Sequence, residues 1–157
     1  MSQMFKRLFS RFEKRRSGPN LPALQAEIVR RLANDVTDLH EGSWEGREWV
    51  YLALNHEVLI EEGRRSSSQA VVLAHLPGAE LESLGFRLSR ESKEALLALR
   101  DAMADDGAEP WTVLDLTVER SGHYEFSFGY GPPPRLNGDL LHSPLQGLLG
   151  RYHAART

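Results

Sequence analysis

Two rhythms run through the chain, one of three and four residues and one of two, and the switches between them predict its elements. Asn20 suits the N-cap of a helix that begins at Leu21-Pro22, and Leu24, Ile28, Leu32, Val36 and Leu39 then recur at three- and four-residue steps. Glu48 to Asn55 and Gln69 to His75 are rich in β-branched, aromatic and aliphatic residues and predict two strands, the first extended by Glu57 to Ile60. The polar run Glu61 to Ser68 is expected between them. Ser89 or Ser92 can cap a second helix with the apolar stripe Leu96, Leu99 and Met103, and Gly107 is placed to stop it. Leu145, Leu148, Leu149 and Tyr152 would share one face of a short C-terminal helix.

The clearest two-step pattern lies between Trp111 and Gly131. Leu114, Leu116 and Val118 alternate with Asp115, Thr117 and Glu119, and Tyr124, Phe126, Phe128 and Tyr130 alternate with His123, Glu125 and Ser127. A two-residue turn at Ser121-Gly122 would set Glu119 against Tyr124 and mix both faces, which a sheet with one buried side does not tolerate. A three-residue loop, Arg120 to Gly122, pairs Val118 with Tyr124, Leu116 with Phe126 and Leu114 with Phe128, so each face is pure. The aromatic row is then expected in the core and the polar row on the other face. Helices, strands, helix, hairpin and short helix in this order, without strand-helix alternation, predict an α+β domain. Its antiparallel sheet should have about four strands and helices packed on one face.

Composition changes this picture mainly through charge. The chain has 157 residues, no cysteine and no apolar run near bilayer length, so one domain over 20–157 is expected, without a disulfide or thiol chemistry. Residues 1–16 hold six basic residues against one acidic, a net +5, whereas the rest hold 13 basic against 21 acidic, a net −8. In the basic segment Phe5, Leu8, Phe9 and Phe12 fall at helical spacing with Lys6, Arg7 and Arg11 on the other side, before the break Ser17-Gly18-Pro19. Residues 1–19 thus read as an amphipathic tail and linker, suited to contact with an anionic membrane surface or a partner. Charged residues interrupt every apolar run there, so it is not read as a secretory signal. The acidic body repels phosphate backbones and steers basic partners toward itself, so direct nucleic-acid binding by the domain is not expected.

The chemistry of catalysis is hard to assemble from these residues. The six histidines, at 40, 56, 75, 123, 142 and 153, form no HExxH and no i,i+4 pair, so no metal site is expected. Gly42-Ser43-Trp44-Glu45-Gly46 has its serine in the wrong place for a nucleophile elbow. Gly129-Tyr130-Gly131-Pro132-Pro133-Pro134 lacks the N–H groups and the Gly-Lys-Ser/Thr of a phosphate loop. Neither an enzyme nor a cofactor is expected.

Glu109-Pro110-Trp111, the alternating Val113, Leu114 and Leu116, the turn with Gly122 and the strand with Phe126, Phe128 and Tyr130 together resemble the YezG-like immunity proteins of bacterial toxin systems. Trp49-Val50-Tyr51-Leu52, after a helix and an acidic loop, is similar to that family's first strand. The likeness runs from about residue 21 to 131, about two-thirds of the chain. It implies a cytoplasmic, non-catalytic protein that binds and neutralises a cognate toxin, and it carries over no active-site residues. The physical reading points the same way, since a nuclease or nucleic-acid-modifying toxin has a basic cleft and an acidic inhibitor would be steered into it. Three acidic groups are the candidate partner surfaces. They are the loop with Glu41, Trp44, Glu45 and Glu48; the strip Asp115, Glu119 and Glu125; and the helix end with Asp101, Asp105 and Asp106. The competing readings are a membrane-associated adaptor held by the N-terminal segment and a small enzyme with two convergent titratable groups in a deep pocket.

Overall fold

The computed structural model of the protein describes residues 20–105 and 107–157. The expected N-terminal amphipathic helix, with Phe5, Lys6, Arg7, Phe9, Arg11 and Phe12, lies outside the described residues, as does Asp106. Helix α1 (Leu21–Asp35) begins where Asn20 accepts the Ala23 N–H, with proline in its first turn. It ends earlier than its apolar stripe, because Asp35 turns its carboxylate to the start of the second helix. Val36 stays buried, and Leu39 joins an isolated bridge with Phe86 instead of a further helical turn.

Helix α2 (Arg90–Asp105) is capped by Ser89, whose Oγ accepts the Ser92 N–H at 3.1 Å. The Asp35 carboxylate accepts from the Ser89 N–H at 3.0 Å and the Ser92 hydroxyl at 2.5 Å, so an anion sits at the positive end of the helix. At its other end Gly107, at φ 90°, donates to Ala104 while Ala108 donates to Met103, a Schellman closure that only a left-handed residue completes.

Five strands form one antiparallel sheet in the order β3-β2-β1-β4-β5: β1 (Glu48–Glu61), β2 (Gly63–His75), β3 (Glu82–Gly85), β4 (Val113–Glu119) and β5 (Tyr124–Gly129). The expected α+β class with an antiparallel sheet is therefore what the chain adopts. The fifth strand is the short β3, and its Leu81 to Phe86 region has too little alternation to read from sequence. The polar run Glu61 to Ser68 is not a loop. Its greater part is the first half of β2, paired with Glu57 to Ile60 across a turn at Gly63, φ 114°. Polarity there marks an exposed strand rather than an absent one.

Register sorts the side chains. Leu52, Leu54, Val58, Leu114, Leu116 and Val118 face α1 and α2 and pack with Ile28, Leu32, Leu96 and Leu99 in the main core. Trp111, fully buried, closes this core against His56 and Phe128. The hairpin pairs Val118 with Tyr124, Leu116 with Phe126 and Leu114 with Phe128, and Glu119 takes the His123 carbonyl before Gly122 turns at φ 107°. The three-residue loop deduced from facial purity is the loop that forms. The aromatic row is less buried than expected: Tyr124, Phe126 and Phe128 are half-buried at the rim and Tyr130, beyond the end of β5, is exposed, because β5 is the sheet's last strand.

Helices cover both faces, not one. Helix α3 (Leu148–Ala155) packs Leu148, Leu149 and Tyr152 on the second face, against Tyr51, Ala53, Val71 and Leu73. No helix among the described residues is long and apolar enough to cross a membrane.

Candidate protein-binding surface

The second face of the sheet is built from the odd-numbered residues of β1, β4 and β5, and half of it is covered by the chain after Pro134. Consecutive N–H groups of Arg135 and Leu136 donate to the two carboxylate oxygens of Glu57 at 3.2 and 3.0 Å. The Arg135 guanidinium donates to Asn55 Oδ1 at 2.7 Å, to the carbonyls of Asn55 and Ser67 at 3.2 and 3.1 Å, and to Ser67 Oγ at 2.7 Å. Glu57 is fully buried, and its Oε2 lies 3.6 Å from Arg135 Nη1. Burial lowers the Arg135 pKa, with Glu57 and then Asp115 pulling the other way. A buried charge tolerates this only when its donors are satisfied, and here they are. The three prolines therefore lead the chain to a latch on β1 and β2.

Asn55 passes this network on to the surface. Its Nδ2 donates to Asp115 Oδ1 at 2.8 Å, so the first carboxylate of the acidic strip is held by its neighbour on β1. Thr117 pairs with Glu125 and Asp115 with Ser127, which sets three carboxylates on two hydrogen-bonded strands. Glu125 is 74% exposed and 3.3 Å from His123. Glu119 lies 3.8 Å from Arg156, whose guanidinium stacks 3.7 Å from the Tyr152 ring and also covers Tyr51. Between α3 and the strip runs a groove of about 280 Å³, bordered by Tyr51, Asp115, Thr117, Tyr152 and Arg156. The expected acidic face thus exists, but the chain's own C-terminus has narrowed it to a strip beside α3.

The other candidates are spread out. Glu41 accepts the Gly85 N–H at 3.0 Å beside His40, so it anchors the loop as well as facing solvent. Trp44 is half-buried against the main core rather than standing free as an anchor. Glu45, at φ 52°, and Glu48 are exposed, and Arg47 ties their loop to β3 through Glu82 at 3.0 and 3.2 Å. Asp101 and Asp105 lie exposed on α2. The loop precedes the start of β1, while α2 leads to Thr112, whose carbonyl accepts from Val58 near the other end of that strand. Ten residues of strand, roughly 30 Å, separate those ends, so the loop and the α2 end do not form one patch.

A second feature was not anticipated from the sequence. His56, 1% exposed, sits within the main core with Nδ1 2.6 Å from Ser68 Oγ, and burial, then Lys93 and Arg135, push it down to about 4. Ser68 also lines a cavity of about 460 Å³ with Gln69, Gly85, Phe86, His40 and Ser143. His40 and Glu41, whose side chains lie 3.6 Å apart, stand at its solvated rim. No protein-family model matches the chain, and no curated protein does either.

Proposed function

We propose that the protein is an immunity protein of the cytoplasm, which binds a bacterial toxin with a basic cleft, such as a nuclease or nucleic-acid-modifying enzyme, and blocks it by occupancy. The observation that carries this reading is the strip of Asp115, Glu119 and Glu125 on the hairpin, with Asp115 and Glu125 exposed and Asp115 held by its cross-strand neighbour Asn55. Carboxylates fixed on paired strands lose little freedom on binding, and such preorganisation favours affinity. The net −8 of the body adds long-range attraction for a cationic cleft. The groove beside α3 supplies apolar and aromatic surface from Tyr51 and Tyr152 for an inserted side chain.

Co-expression with the product of the neighbouring gene tests the reading, which expects that product to be a toxin. Protection of the cells and co-purification of the two chains are expected; loss of viability with no complex would reject it.

A further inference from the structure

Strand β2 has 13 residues, but β3 pairs only with Val71 to Ala74. The Phe86 N–H still reaches the Ala70 carbonyl, and then the chain turns away to α2. In an antiparallel ladder, N–H and C=O groups point to alternate sides at successive residues. Since Ala70 points outward, so do Ser68, Ser66 and Arg64, and no backbone partner among the described residues takes them. The cavity of about 460 Å³ opens where β3 departs, walled by Ser68, Gly85, Phe86 and Ser143. It is the beginning of a lane beside β2 in which no described residue pairs with the strand. One acceptor is also left over at this place: Gln69 Oε1 is buried without a partner, although Nε2 donates to the His142 carbonyl and Ser143 Oγ.

We infer that this edge receives an extended, acidic segment of a protein partner, which adds a strand to the sheet beside Arg64 to Ser68. Strand addition takes affinity from main-chain hydrogen bonds and specificity from alternate side chains. The three serines are small and leave the edge accessible. Arg64 and Arg65 project to opposite faces at the far end of the lane, exposed and with no carboxylate against them among the described residues. Carboxylates at neighbouring positions of the added strand would meet one arginine on each face. The same two cations disfavour the other occupants. A second copy brings its own Arg64 and Arg65, and the chain's residues 1–16 bring a net +5. This inference stands apart from the toxin reading, because it concerns another edge and the opposite sign of charge.

The test is an NMR titration of the full ¹⁵N-labelled chain with a synthetic peptide of valine and threonine that carries two adjacent glutamates at its centre, one for each face of the added strand. The amide signals of Arg64, Ser66 and Ser68 should move and gain protection from exchange. Replacing the glutamates by lysine, or making Arg64→Glu with Arg65→Glu, should weaken binding about tenfold, the scale of two exposed ion pairs lost or reversed. Ser66→Pro should abolish binding while β1 stays paired, since the N–H it removes points outward; the melting temperature checks its folding. The inference is overturned if those amides stay still at millimolar peptide, or if the lysine peptide binds equally well. Sedimentation showing a dimer that Ser66→Pro dissolves would also overturn it, because a second copy would then hold the edge.

Discussion

His56 shows how far a single side chain can be moved by its surroundings. It stands in the row of Leu52, Leu54 and Val58, touches the Trp111 ring and bonds Ser68, and its pKa falls from 6.5 to about 4. The unfolded chain therefore takes up a proton that the folded one refuses. Stability is full above pH 6.5 and declines as pH falls toward 4, by roughly 3 kcal/mol from this group. Urea melts of wild type and His56→Gln between pH 7 and pH 4 check this, and the variant should lose most of that slope. Glu57, one position on and on the opposite face, is buried with partners: Arg135 and two backbone N–H groups surround its carboxyl oxygens. Arg135→Ala should cost about 3 kcal/mol, the scale for leaving one buried charge unpaired.

The elements differ in how openly the sequence declares them. The hairpin was legible to its loop length, because facial purity admits one register and Gly122 fits the left-handed position that this loop requires. Gly122→Val should accordingly cost about 1–2 kcal/mol in denaturant melts, without changing the strand pairing. Helices α1 and α2 were legible from their stripes and caps. The first half of β2 was not, since hydrophobic pattern reports burial, and Arg64 to Ser68 are strand without being core. The latch was hidden for another reason: Glu57 and Arg135 lie 78 residues apart, and neither has a local signature. A hint existed in Tyr51, Ala53, Val71 and Leu73, whose odd-numbered apolar positions called for a cover on the second face. Arg135→Ala should loosen that cover, raising hydrogen exchange in 135–157 while the β1–β4 ladder keeps its protection.

At the scale of the whole molecule, charge and covering decide what remains for a partner. The acidic groups were readable as residues but not as a surface, because only folding separates the loop and the α2 end by the length of β1. Folding also gives Glu119 to Arg156 and leaves Asp115, held by Asn55, and Glu125, beside His123, as the exposed carboxylates of the strip. An association steered by such a strip should slow steeply as salt rises, since screening shortens to about 8 Å at physiological ionic strength. The rate constant for binding the proposed toxin partner, measured by stopped flow for wild type and for Asp115→Lys with Glu125→Lys, tests the central claim most directly. At least a tenfold slower association is expected for the variant at low salt, converging with wild type at high salt. Equal rates for the two proteins at every salt concentration would contradict the assignment of this face as the binding surface.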